Sequence, residues 1–105
     1  MNRSNQDETH KRDAAKFVAD VPEDQVFTYR QWGKLRNLKD LGNALANVDN
    51  SCGGDWALER QALSEWVRDA IGDTKLAHDL ESTTSRTHGA WEVANRMAYL
   101  TRRIQ

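Results

Sequence analysis

Leu63-Ser64-Glu65-Trp66-Val67-Arg68-Asp69-Ala70-Ile71-Gly72-Asp73-Thr74-Lys75-Leu76-Ala77-His78-Asp79-Leu80 writes two helices and the break between them in eighteen residues. Leu63, Trp66, Val67 and Ala70 stand at i, i+3, i+4 and i+7, one face of a 3.6-residue period, and Ile71 widens the stripe. Gly72 then stops the helix, because glycine reaches the left-handed conformation that the position after a helix favours. Asp73 starts the next one, its carboxylate able to accept a backbone N–H of the first turn. The stretch predicts a helix pair. It holds no recognisable catalytic constellation, and none stands elsewhere in the chain.

Outward from this pair the same signals recur. Residues 1–9 read as a polar, flexible N-terminus in which Ser4 with Asp7, or Asn5 with Glu8, can cap a helix start. A single helical domain is expected over 10–105. Its first helix runs to about Ala19 with Ala14, Phe17, Val18 and Val21 on the apolar stripe, and Pro22 ends it near Asp20. Pro22-Glu23-Asp24-Gln25 reads as a turn. Val26 to Arg36 looks extended, Phe27 and Tyr29 alternating with Thr28 and Arg30 before a turn at Gln31-Trp32-Gly33. A short hairpin pairing 26–29 with 34–36 is predicted. Two strands alone are marginal in water, so the hairpin must pack on helices through Phe27, Leu35 or Trp32.

Asn37 caps a helix carrying Leu38, Leu41, Ala44, Leu45 and Val48. Residues 49–54 break it, Asp55 restarts a helix that continues to Ile71, and a short helix covers Thr74 to about Glu81. Ser82 to Ser85 supply another capping cluster. A final helix places Ala90, Val93, Ala94, Met97 and Leu100 on its apolar face, with Trp91, Tyr99 and Ile104 flanking. The fold class is therefore all-α: about five short helices in a compact bundle with one small β-hairpin near residues 26–36.

A chain of 105 residues can bury roughly two-thirds of its unfolded surface and needs no metal or disulfide to fold. Cys52 is the single cysteine, which fits a reducing compartment or simple indifference to redox. The polar N-terminus lacks the apolar core of a signal peptide and no run reaches the length of a membrane span, so a soluble, cytoplasmic protein without a membrane partner is expected. The net charge of −1 conceals an uneven distribution: residues 1–29 carry −2, 30–39 carry +4, 40–85 carry −6 and 86–105 carry +3. That balance argues against a genome-coating protein and suits docking to another protein or self-association. If the last helix lies beside the hairpin, the two basic segments combine into one +7 surface opposite the acidic middle.

Three blocks carry a resemblance: Val21-Pro22-Glu23-Asp24-Gln25-Val26-Phe27 leading to Gly33 and Arg36-Asn37-Leu38-Lys39-Asp40-Leu41; Ala44-Leu45-Ala46-Asn47-Val48; and Trp66-Val67-Arg68-Asp69-Ala70-Ile71-Gly72-Asp73 followed by Leu76-Ala77. Together they resemble a family of small uncharacterised prokaryotic domains, grouped as a domain of unknown function, over about residues 15–100. The resemblance implies a helical fold and no established activity. Members carry His-Val and then Asn-Asp-Phe ahead of the Trp, where this chain has Asp55-Trp56 and Gln61-Ala62-Leu63. No site residue is carried over.

Candidate chemistry is sparse. His10, His78, His88 and Cys52 contain no close pair of the kind zinc sites use, and no metal or cofactor is expected. Cys52 lacks an identifiable base, and a small loop residue is the simpler reading. Gly53-Gly54 precedes a helix, as in phosphate loops, but without a preceding strand or a Gly-Lys-Ser/Thr, and Asp55 would repel a phosphate.

The strongest functional segment is Tyr29-Arg30-Gln31-Trp32-Gly33-Lys34-Leu35-Arg36-Asn37-Leu38-Lys39, four cations interleaved with two aromatics. Such a set suits an acidic protein surface anchored by Trp, Tyr and Arg. It also suits phosphates and stacked bases, and equally a solvated hairpin whose Trp32 tucks into the core. Of the four tryptophans, Trp66 lies on the strongest apolar stripe and is expected in the core, and Trp91 is expected half-buried. Trp32 and Trp56 stand beside turns and are candidates for a partner surface. Arg96, Arg102 and Arg103 favour the dipole at the end of the last helix.

The expectation is a non-enzymatic protein-interaction or regulatory module, binding another protein or a second copy of itself through Tyr29, Arg30, Trp32, Lys34, Arg36 and Trp56. The alternatives are a nucleic-acid-associated accessory protein using the same hairpin, and a small enzyme whose site the spacing does not reveal. No catalytic residue is assigned.

Overall fold

Short polar side chains open four of the helices in the computed structural model, which describes residues 10–28, 33–47 and 55–104. Asn37 Oδ1 accepts the Asp40 N–H at 2.8 Å, Asp55 Oδ1 the Ala57 N–H at 2.9 Å, Asp73 Oδ1 the Leu76 N–H at 3.2 Å and Ser85 Oγ the His88 N–H at 3.0 Å. Each satisfies a backbone donor that the first turn of a helix leaves without a partner. The elements that follow from these caps are α1 (Lys11–Val18), a 3₁₀ turn (Glu23–Gln25), β1 (Phe27–Thr28), β2 (Lys34–Leu35), α2 (Leu38–Asn47), α3 (Trp56–Trp66), a π turn (Val67–Ile71), α4 (Thr74–Glu81) and α5 (Arg86–Ile104). Among the described residues the fold is an all-α globule of five helices with one antiparallel hairpin.

The core is aliphatic. Leu38, Leu41 and Leu45 of α2, Leu63 of α3, Leu76 and Leu80 of α4, and Val93 and Leu100 of α5 are fully or almost fully buried. α5 packs along α1, α2 and α4, while α3 packs on α4. The hairpin register is Phe27 opposite Leu35 and Thr28 opposite Lys34. Leu35 is buried, and the Val21 N–H donates to the Arg36 carbonyl at 2.8 Å, tying the chain that leaves α1 to the end of β2. The expected 26–29/34–36 pairing is thus realised over two residues per strand, with 29 outside the described residues. Residues 1–9 with their two capping pairs, Val48, and the break at 49–54 also lie outside them.

Two expectations change. The helix expected to run unbroken to Ile71 is α-helical only to Trp66 and then widens into the π turn. The Gly72 N–H reaches the Val67 carbonyl, five residues back, at 2.7 Å, and Gly72 takes φ 94°. The wider turn keeps Val67 and Ile71, four residues apart, on one buried face before glycine closes it.

The second change is the rotation of α5. Its inward residues are Arg86, Gly89, Val93, Arg96 and Leu100. Ala94, expected inside, is exposed, and Trp91, expected half-buried, is 62% exposed. The cause is a pair of carboxylates that face this side of α5, Asp73 buried and Glu59 half-buried. The Arg86 guanidinium forks onto Glu59 (Nε to Oε1 3.0 Å, Nη2 to Oε2 2.5 Å), and Arg96 forks onto Asp73 (Nε to Oδ2 2.7 Å, Nη2 to Oδ1 3.0 Å). Turning both guanidinium groups inward swings Trp91 and Ala94 to solvent. Gly89 permits the close approach: a Cβ there would meet Trp56 at 3.0 Å and Leu45 at 3.3 Å.

Candidate partner-binding surface

Along the end of the hairpin, burial alternates. Leu35 points into the core while Lys34 and Arg36, two residues apart and so on the same side of the extended chain, are both exposed. The backbone beneath them is held. Besides the bond from Val21 to the Arg36 carbonyl, the Arg36 N–H donates to Asp40 Oδ2 at 3.0 Å, and Asn37 Nδ2 donates to Asp20 Oδ1 at 2.6 Å. Tyr29, Arg30 and Trp32 of the same candidate set lie outside the described residues.

Trp56, the remaining member, sits elsewhere. It opens α3, half-buried, with its indole N–H donating to Thr83 Oγ1 at 3.1 Å and its ring against Gly89. The hairpin rests on the opposite end of α3, where the Phe27 and Trp66 ring centroids are 5.9 Å apart at 54° and the Trp66 indole N–H donates to the Gln25 carbonyl at 2.7 Å. The ten helical steps from Trp56 to Trp66 span about 15 Å. Lys34 and Arg36 are therefore brought together, whereas Trp56 is committed to the contact between α3 and α5.

At the foot of the hairpin the structure opens a groove of about 460 Å³ that reading the sequence did not anticipate. Phe27, Trp66, Ala62 and Ala70 give it an apolar floor, and Glu65 and Asp69 line it with carboxylates. Trp66 is only 8% exposed and Phe27 is half-buried. Asp69 is open to solvent, its side chain 73% exposed, with Arg68 beside it at 3.4 Å. Only pairing of β1 over α3 brings Phe27 to Trp66, across thirty-nine residues of sequence, so no local pattern could reveal the groove.

Two of the cations counted in the +7 surface, expected if the last helix lies beside the hairpin, turn inward. Arg86 is 3% exposed and Arg96 8%, each against its own carboxylate, and the Arg96 guanidinium also lies 5.2 Å from the centre of the Tyr99 ring. Among the described residues, no group of three or more His, Cys, Asp and Glu side chains is placed to hold a metal ion. His88 accepts the Thr84 N–H at 3.3 Å and stands 3.6 Å from Glu92; Cys52, Gly53 and Gly54 lie outside the described residues. No described helix is long and apolar enough to cross a membrane.

Comparison with protein-family models, with curated proteins and with solved structures finds no match to this chain. The site rests on this chain's own residues.

Proposed function

We propose that this chain is a non-enzymatic protein-binding module, regulatory in character, whose partner docks on the hairpin side of the molecule. The observation that supports the reading is the groove between Phe27 and Trp66, an aromatic, partly open floor at the foot of the hairpin, with the two exposed cations Lys34 and Arg36 on the other face of the same hairpin. Aromatic side chains in a partly desolvated recess with charged neighbours are the usual anchors of a protein interface. Tyr29, Arg30 and Trp32 extend the same segment in sequence and belong to the proposed surface with Lys34 and Arg36.

Nucleic-acid binding through these cations is the second reading. It is the weaker one because the arginines that would have enlarged the basic field, Arg86 and Arg96, are neutralised inside, while the carboxylates of Glu65 and Asp69 adjoin the hairpin.

The test is recovery of binding material from a native lysate at low and moderate salt, with and without nuclease, comparing the wild type with a folded Trp32→Ala, Arg36→Ala variant. One stoichiometric protein recovered by the wild type and lost in the variant is the expected result. Nuclease-sensitive material that weakens steeply and log-linearly with salt would favour the second reading. Equal recovery by both forms overturns the hairpin as the docking surface.

A further inference from the structure

Ala62, Glu65, Trp66, Asp69 and Ala70 stand at i, i+3, i+4, i+7 and i+8, so one flank of α3 and the π turn supplies a long wall of the groove. Within that flank Ala62, Trp66 and Ala70 make an apolar row in steps of four, about 12 Å from end to end. Glu65 and Asp69 make an acidic row beside it, about 6 Å apart along the axis. Phe27 and Gln25 bound the groove through Trp66: one by its ring, the other by the carbonyl that accepts the indole N–H.

The acidic row lacks counter-ions. Among the described residues, no lysine or arginine lines the groove, and the exposed Glu65 side chain has no ion pair or hydrogen bond. Asp69 is met by Arg68 at 3.4 Å, an exposed contact that neutralises little. Lys16 approaches Gly72, past the end of the π turn, and does not line the groove. Glu23 and Asp24, both exposed, precede Gln25 on the 3₁₀ turn and add to the same sign. A negative field therefore lies over an apolar floor.

We infer that the occupant of this groove is a basic amphipathic helix of a partner protein, a reading that rests on the docking proposal above and names the chemistry of what docks. Rows in steps of four accept the ridges of a second helix. Its apolar side chains lie along Phe27 and Trp66, and a pair of lysines or arginines one turn apart meets Glu65 and Asp69. The long aliphatic stems of those cations cover the edge of the floor while their heads reach the carboxylates. A partly open groove of about 460 Å³ admits such a row of side chains.

The experiment selects short random peptides displayed on phage against the full chain, then measures the enriched sequences as synthetic peptides by fluorescence polarisation at low and moderate salt. Enriched peptides are expected to carry net positive charge, with apolar residues three or four apart, and to bind more weakly as salt rises. Glu65→Lys with Asp69→Lys is expected to weaken them at least about tenfold. Asp79→Lys with Glu81→Lys changes the net charge equally near Thr83, at the Trp56 end of α3, and is expected to weaken them far less. Each variant is checked for native helicity by circular dichroism, and Glu65→Gln with Asp69→Asn stands in if the groove reversal unfolds.

The absence of enrichment overturns the inference, as does enrichment of acidic or uncharged peptides. Equal binding by the wild type and the groove variant, reversed or neutral, overturns it too, and so does an equal loss in the Asp79→Lys, Glu81→Lys chain, which would reduce the effect to net charge. If no cationic peptide is enriched while a lysate protein is still captured and lost in the Trp32→Ala, Arg36→Ala variant, the docking proposal stands and only the basic helix is removed as its occupant.

Discussion

Cations occupy opposite environments at two places in this molecule. On α5, Arg86 and Arg96 point into the protein and each grips one carboxylate with two hydrogen bonds. At the end of the hairpin, Lys34 and Arg36 point out. The inward pairs fix how α5 is turned, because a buried guanidinium needs its carboxylate and its hydrogen bonds to offset desolvation. The outward pair contributes to the field at the surface and little to holding the fold. Net charge along a segment does not distinguish the two. The segments that read +4 and +3 differ in kind: among the described residues the first presents Lys34, Arg36 and Lys39 to solvent, and the second holds Arg86 and Arg96 inside.

Removing one member of an inward pair is the most severe way to break this contrast. Asp73→Ala is expected to lower unfolding stability by about 3–5 kcal/mol by leaving Arg96 buried without its counter-ion, with about 1 kcal/mol more from the lost cap on α4. Urea denaturation checks it, and a loss below about 1 kcal/mol would put the pair on the footing of a surface contact. Trp66→Ala, which takes away the floor on which the hairpin rests, is expected to cost about 3–5 kcal/mol; an unchanged denaturation midpoint would refute the place given to it in the core.

Gly89→Ala tests the fit that lets α5 bring its arginines inward. The added methyl meets Trp56 and Leu45, and overpacking of that kind costs about 1–3 kcal/mol, readable as a lowered melting temperature. At the other end of the scale, Lys34→Ala with Arg36→Ala is expected to shift stability by no more than about 0.5 kcal/mol per site. A larger loss would mean that the outward cations also brace the fold.

The fold was legible wherever its signal was local. Gly72 and Asp73 mark a stop and a start, Asn37 and Asp55 act as caps, and Trp66 sits on the buried stripe, all from residues within a few positions of one another. The rotation of α5 was not legible, because the partners that turn it lie far along the chain: Glu59 is twenty-seven residues from Arg86, and Asp73 twenty-three from Arg96. Periodicity alone assigns Ala94 to the inside and arginine to the surface. Two forked ion pairs reverse that assignment and leave Trp91 in water.

The candidate site divides in the same way. Lys34 and Arg36 stand out by composition alone, whereas the groove depends on Phe27 meeting Trp66 in space. Trp56 was assigned by its position beside a turn, and its hydrogen bond to Thr83 is a contact that no turn signal announces.

The link between α4 and α5 is only four residues, Ser82 to Ser85, and a short polar connection of this kind is ordinarily where a protease cuts. Here it is braced from both sides. Thr83 is fully buried; its hydroxyl accepts the Trp56 indole N–H and donates to the Leu80 carbonyl at 2.7 Å, while Arg60 donates to its own carbonyl. To enter an enzyme's cleft this loop must first let go of α3 at two points, so nicking here is limited by an opening that detaches it from the core. This short polar loop thereby behaves, toward proteolysis, as part of the interior.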